Sequence, residues 1–343
     1  MYNFRNDYSE GAHPQVLDAL TRTNFEATAG YGEDEYCMAA ARAVRARFAC
    51  PDADVHFLVG GTQTNYTAIT AFLRPWEAVI AADTGHIAVH ETGAVEARGH
   101  KVITVPNLDG KVTPQALEDI YLEHTIANIG HMVYPRMLYI SDTTELGTIY
   151  TKAELSALRA VCDRLGLYLY LDGARLASAL TADGNDLTPE DLPRLCDAFT
   201  LGGTKCGLLF GECLVITNPI LMPNFRYCLK QCGGMLAKGR LLGIQFLALL
   251  EEDLFLKLGR HENEMAMKLT QGLLDAGYPL YAQGPTNQVF PILSKTLIQH
   301  LEQNFTFEFI ARIDEEHDAV RFVTSWATQP EAVAALLRAL GAE

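Results

Sequence analysis

The run LYLYLD at 167–172 sets the tightest limit on the fold. Five consecutive apolar side chains, Leu167 to Leu171, leave neither face of a strand polar, so both faces have to be covered. Such a strand belongs inside a mainly parallel sheet with helices above and below it. It runs directly into Asp172, with Arg175 three residues on. A carboxylate desolvated at the end of a central strand is costly unless something pairs with it. The strand therefore raises a question of chemistry as well as of fold.

The same alternation extends along most of the 343 residues. Strand-like runs stand at 55–60 (VHFLVG), 78–83 (AVIAAD), 101–106 (KVITVP), 137–142 (MLYISD), 167–172, 198–203 (AFTLGG) and 212–217 (ECLVIT). Helical patterns lie between them. TKAELSALRAVCDRLG (151–166) opens with a capping Thr151 and Glu154 and closes at Gly166. This order predicts an α/β fold, a three-layer α/β/α large domain on a mainly parallel seven-stranded sheet. From about 239 the pattern changes to a long helical region, to roughly 276, then the strand-like NQVFPIL and AVRFVTSW and a final helix from Pro330. The expected division is a large domain with an N-terminal arm at 1–240 and a smaller α+β domain at 241–343.

A net charge of -15 argues against nucleic acid, which requires a basic face. A small anionic ligand stays compatible, since a few local cations and backbone N–H groups suffice. No apolar run approaches the roughly 20 residues that span a bilayer, and MYNFRNDYSEGAHP lacks the apolar core of a signal peptide. The eight scattered cysteines show no paired C-x-x-C spacing and read as reduced, mostly buried thiols. The expected compartment is the cytoplasm.

Open parallel sheets bind ligands at the carboxyl ends of their strands. Five of those ends carry polar residues. GGTQTN (60–65) offers glycines and a helix start, a plausible phosphate cradle that alone does not exceed an ordinary strand-to-helix turn. His86 and His90 stand four apart, but no third ligand accompanies them and Glu91 is displaced by one from the zincin pattern, so no metal is expected. His86, just after a strand end, reads instead as an aromatic face for a ligand. Lys205 follows LGGT, with Thr204 beside it, as an amine that desolvation prepares for a Schiff base. A Schiff-base lysine, an upstream aspartate for a protonated pyridine nitrogen, a stacking ring and a phosphate cradle are the parts that pyridoxal phosphate requires. Asp172 would then meet a pyridinium.

With those residues in place, the chain resembles the threonine aldolases, within the aspartate-aminotransferase-like fold of pyridoxal-phosphate enzymes. FRNDYSEGAHP, AGYGEDE, GGTQTN, DTGHIAVHETGA, YLDGARL, TKCGLLFG, CGGM and VRFVTSW occur in the family's order along nearly the whole sequence. The resemblance implies Lys205 as the cofactor-bearing lysine, Asp172 as the partner of the pyridine nitrogen and His86 as the stacking ring. It implies Arg175 beside the ring hydroxyl and substrate carboxylate, with Arg321 as the second carboxylate-binding arginine. Gly61, Thr62 and Gln63 would form the phosphate turn. Tyr31, in GYGED, would lie near the site at a subunit interface of a homodimer or homotetramer.

Two departures stand out. Where the family often has THNG, this chain has TTELG, placing Thr144 and Glu145 near the expected histidine. Glu145 is accordingly expected to handle the proton of the substrate hydroxyl. Where GGGMRQ is common, CGGMLA puts Leu236 at the arginine position, with Lys230 or Lys238 as replacement charges. The expected activity is cleavage of a β-hydroxy-α-amino acid to glycine and an aldehyde. The alternatives are β-elimination and transamination, which use the same lysine, aspartate and arginines.

Overall fold

The computed structural model describes residues 1–126 and 130–341. In chain order its strands are β1 (Tyr2–Asn3), β2 (Asp54–Leu58), β3 (Glu77–Ala82), β4 (Val102–Val105), β5 (Tyr134–Ser141), β6 (Tyr168–Asp172), β7 (Ala198–Gly202), β8 (Glu212–Ile216), β9 (Leu280–Ala282), β10 (Gln288–Ser294), β11 (Phe305–Thr306), β12 (Glu308–Arg312) and β13 (His317–Val323). All seven strands expected in the large sheet are found in it, in the order β2-β8-β7-β6-β5-β3-β4. β8 runs antiparallel to both neighbours and the other pairs are parallel.

β6 occupies the middle of that sheet, as its double apolar face requires. Its alternate side chains feed two different cores. Leu169 and Leu171 pack with Ile80, Leu138 and Ile140 on one face. Tyr170 packs with Val79, Met137 and Tyr139 on the other. Helices Glu35–Arg47, Lys152–Leu165 and Arg240–Leu250 bury residues in the first core, and Gly61–Phe72 and Phe225–Gln231 in the second. Helix Lys152–Leu165 carries the anticipated capping box, Thr151 with Glu154, and ends on Gly166 in the left-handed conformation.

The expected helical region at 239–276 is interrupted. Arg240–Leu250 ends, Glu252 and Asp253 take positive φ (49° and 61°), and Leu254–Asp275 begins in a new direction. Three adjacent acids, Glu251 to Asp253, repel one another, and Asp tolerates the left-handed region better than most residues. Asp253 there pairs with Arg47 at 2.7 Å. The second helix begins against the large core through Phe255 and Leu258 and finishes in a third core through Met265, Leu269 and Leu273. That third core lies under a four-stranded antiparallel sheet, β12-β13-β10-β9. It also takes in Phe4, because β1 pairs with β11 and ties the N-terminal arm to the C-terminal part of the chain.

Candidate active site

The ends of β2, β3, β5, β6 and β7 open into one cleft of about 320 Å³. Gly61, Thr62, His86, Glu145, Asp172, Arg175, Thr204 and Lys205 all line it. Parallel register brings Ser141 of β5 opposite Asp172 of β6, so the two strands finish level.

Asp172 is buried and accepts three hydrogen bonds. Its Oδ2 receives the Tyr139 hydroxyl at 2.6 Å and Asn65 Nδ2 at 2.9 Å, and its Oδ1 receives the Ala174 amide at 2.9 Å. Burial pushes this carboxyl upward, but the Tyr139 hydroxyl, the His86 ring, the Asn65 amide and the Lys205 amine together hold it below its ordinary value. A deep negative charge is thus maintained at the strand end. Opposite in sign, the Lys205 amine is pushed below the usual lysine range by burial and by the Arg175 guanidinium. That favours the neutral, nucleophilic form.

Helix Gly61–Phe72 begins at the cleft with Gly60 as its N-cap and no side chain capping it. Beyond the adjacent backbone, no atom lies within 4 Å of where a Cβ would stand on Gly60 or Gly61. An uncapped helix start with open space before it accommodates an anion. Gln63 belongs to the same turn but faces away from the cleft. Its amide nitrogen donates to the Cys232 carbonyl at 3.3 Å, which fastens the helix to the CGGM segment. Thr204 Oγ1 accepts the Gly211 amide at 3.0 Å, shaping the turn that presents Lys205.

His86 is half-buried. Its amide donates to Glu145 Oε1 at 2.8 Å, and its Nδ1 lies 2.9 Å from Glu91 Oε1. Glu145 Oε1 also accepts the Ser141 hydroxyl at 2.7 Å, and burial raises the Glu145 carboxyl above its ordinary value. Arg175 is gripped by Asp7 of the N-terminal arm through Nε (2.6 Å) and Nη2 (3.1 Å). Asn287 completes that junction, donating to Asp7 Oδ2 at 2.9 Å. Arg321, on β13, pairs with Glu308 and donates to Gln288 Oε1 at 3.2 Å; it does not line the cleft.

Tyr31 lies elsewhere. It borders a second cavity of about 420 Å³ with Met38, Arg226, Met235 and Leu236, and the Lys230 ammonium sits 4.6 Å from its ring centroid. Within one chain, therefore, Tyr31 and Gln63 are not brought to the Lys205 cleft.

A family model described as beta-eliminating lyase matches residues 3–296. A low specificity L-threonine aldolase of Pseudomonas aeruginosa is 32% identical over 338 residues, covering 98% of this chain and 96% of that protein. The chain belongs to the threonine aldolase family. A solved threonine aldolase structure from Leishmania major superposes with a TM-score of 0.97 at 48% identity, covering 99% of each chain. An aspartate aminotransferase mutant from Thermus thermophilus, at 16% identity and a TM-score of 0.73, shares the fold, with 99% of this chain and 91% of that one covered.

The site fits pyridoxal 5′-phosphate, the cofactor of this threonine aldolase fold. The donor set provides an ionised carboxylate for a protonated ring nitrogen, an amine shifted toward its neutral form, an imidazole face and an anion cradle. Sequence reasoning overlooked several residues that complete the site. Asn65 and Tyr139 bond Asp172, Glu91 bonds His86, and Asp7 bonds Arg175. Asn65 closes GGTQTN, which was visible as a turn. Tyr139 sits in an apolar strand and reads as core, which it also is.

Proposed function

We propose that the chain is a pyridoxal-phosphate-dependent lyase that splits β-hydroxy-α-amino acids of the threonine kind into glycine and an aldehyde. The observation that carries this reading is the joint placement of a depressed Lys205 amine, an ionised Asp172 and a raised Glu145 carboxyl around one cleft. When bound, the cofactor supplies the electron sink for breaking the Cα–Cβ bond. Lys205 Nζ anchors it and afterwards serves as a proton carrier. Asp172 stays ionised against the ring nitrogen, and the Gly61–Thr62 turn holds the phosphate with Thr204 nearby. His86 covers the ring face.

Arg175 Nε and Nη2 are committed to Asp7, so Nη1 is the nitrogen through which it meets the substrate carboxylate. Arg321, paired with Glu308 outside this cleft, adds a second grip only by leaving that pair. Glu145 Oε1 is saturated by two donors, leaving Oε2 to take the proton of the β-hydroxyl. Burial raises this carboxyl and makes it a stronger base than an exposed glutamate.

The working unit in this proposal is a homo-oligomer. Tyr31 and Met38 at the second cavity, and Tyr227, 78% exposed in a groove that adjoins it at Tyr31, present apolar surface. All eight cysteines are free and seven are buried, and no helix among the described residues is long and apolar enough to cross a membrane. These features support a cytoplasmic placement.

The test is incubation of the loaded enzyme with threonine, allo-threonine and phenylserine, identifying products. Glycine with the matching aldehyde is expected. Pyruvate and ammonia from serine without glycine from threonine, or amino transfer to a keto acid, would replace this reading with elimination or transamination.

A further inference from the structure

Asn65 stands at an unusual junction. Its Nδ2 donates to Asp172 Oδ2 at 2.9 Å and to Glu91 Oε1 at 2.8 Å, while its Oδ1 accepts the Tyr170 hydroxyl at 3.0 Å. Asn65, Glu91, Asp172 and Tyr170 are all buried. The partners fix the amide's orientation: two carboxyl oxygens accept only from N–H, and a hydroxyl supplies the proton on the other side. A flipped amide would set three oxygens against one another.

Glu91 Oε1, the oxygen that Asn65 reaches, is also the partner of His86 Nδ1. One amide nitrogen therefore connects the carboxylate at the strand end to the imidazole beside the cleft. The two carboxyl groups are no farther apart than the two hydrogen bonds that join them. Without a donor between them they would repel in a poorly solvated space. The charged and titratable groups around Asp172 are His86, Glu91, Tyr139, Tyr170, Lys205 and Glu212.

We propose that Asn65 is a positioning residue whose shared amide nitrogen keeps Asp172 ionised and, through Glu91, fixes the orientation of the His86 ring. The catalytic significance rests on the function proposed above; the hydrogen-bond geometry does not. Tyr139 also donates to Asp172 but shares no hydrogen bond with Glu91 or the His86 ring, whose bonds run to Asn65 and to each other, so it separates the two effects.

The experiment compares the full-length parent with Asn65→Ala, Asn65→Ser, Asn65→Asp and Tyr139→Phe. Three readouts are taken: Asp172 carboxyl titration by carbon NMR and His86 ring nitrogen signals, both in cofactor-free protein, and pyridoxal-phosphate affinity from the visible absorbance of the lysine-bound cofactor. In Asn65→Ala the Asp172 midpoint moves up by about one pH unit or more, the scale of a lost hydrogen bond to a charged group. The sign follows from the need for an ionised Asp172: cofactor affinity fails first on the acid side. Affinity falls by roughly 10- to 100-fold, as for other groups that orient a ligand's direct partners. The His86 signals change as well. Tyr139→Phe moves the Asp172 midpoint and leaves the His86 signals in place. Asn65→Asp, isosteric but carrying a third carboxyl, shifts Asp172 most, and Asn65→Ser, which restores one donor, shifts it less than alanine. A folded Asn65→Ala with unchanged Asp172 titration and His86 signals overturns the proposal, as does a Tyr139→Phe that disturbs His86 equally. If the alanine variant does not fold, Asn65→Ser decides by the same readouts. A parent that never forms the lysine-bound cofactor would sink the proposed function alone, because the two NMR readouts need no cofactor.

Discussion

The two ends of the cleft are built differently. At the Asp172 end the bonded groups come from neighbouring parts of one rigid sheet and the helix that follows its edge strand. Tyr139 and Ser141 lie on β5, Tyr170 and Asp172 on β6, and Asn65 near the start of Gly61–Phe72. At the Arg175 end the groups come from pieces far apart in the chain. Asp7 lies 168 residues from Arg175 and 280 from Asn287, and Arg321 and Glu308 face each other across β12 and β13. The first end is placed by sheet register, which admits no sliding without turning every side chain over. The second is assembled by the Asp7–Arg175 ion pair between the arm and the end of β6, with the Asn287 amide joining Asp7 from the segment before β10. In the proposed function, the fixed charge is set in the ladder, and substrate binding is set at the junction of segments far apart in sequence.

If that division holds, substitutions in the ladder should abolish chemistry and those at the junction should weaken binding. The largest effect belongs to Lys205→Ala. It is expected to remove the visible band of bound cofactor and nearly all turnover while leaving circular dichroism unchanged. A borohydride-trapped adduct persisting on the variant would identify another lysine as the anchor.

Glu145→Gln comes next. A positioned base is worth about 10²–10⁴-fold, and glutamine keeps the shape while removing the basicity. Retro-aldol cleavage should fall by at least the lower figure with cofactor content unchanged. Because burial raises this carboxyl, the base form disappears as pH falls through a value above the ordinary glutamate range, and the variant should lose that acid limb. Cleavage within a few-fold of the parent would transfer the role to Thr144, water or the cofactor phosphate.

Asp172→Asn tests the ladder's fixed charge. An amide carries no charge for a ring N–H, and a cut of roughly 10²–10³ in kcat is expected, on the scale of removing one preorganised electrostatic group. Cofactor should remain partly bound. A loss well below 100-fold, measured at saturating cofactor, would mean that ring protonation is not required.

What could be read from the sequence follows the same division. The seven strands of the large sheet were found within a few residues, because a strand covered on both faces announces itself by continuous apolar side chains. Asp172, Lys205 and His86 were visible because each is polar where such a strand ends. Asn65 and Tyr139 were not, since their importance lies in a partner brought by the fold and not in a local pattern. β12 escaped notice because it is a partly exposed edge strand whose EFIAR has no clean alternation. Asp7 stands within FRNDYSEGAHP, but only the arm's return beside β11 shows that it meets Arg175. Local physics located the ladder, and the junction required tertiary contacts.

Asp7→Asn bears most directly on the junction and should have the smallest catalytic effect. The Asp7 carboxyl is fully buried; burial pushes it upward, but Arg175 and Lys205 outweigh that and hold it below its ordinary value. A depressed carboxylate stabilises the fold at neutral pH, and that contribution is lost as pH falls through the folded-state value. Removing one partner of a buried ion pair costs about 3–5 kcal/mol, so the variant should melt well below the parent at neutral pH. The gap should begin to narrow below about pH 4, the ordinary aspartate value at which the unfolded chain takes up its proton, and close as pH falls through the lower folded-state value. Catalytically, Arg175 would lose its orienting fork but keep its charge. The apparent KM for threonine should then rise by about tenfold, the scale of 1.4 kcal/mol in binding, with kcat nearly unchanged. A fall in kcat as large as that of Asp172→Asn, at unchanged KM, would show that the arm belongs with the catalytic ladder. An unaltered melting gap across the acid range would show that the Asp7–Arg175 pair contributes no charge-dependent stability.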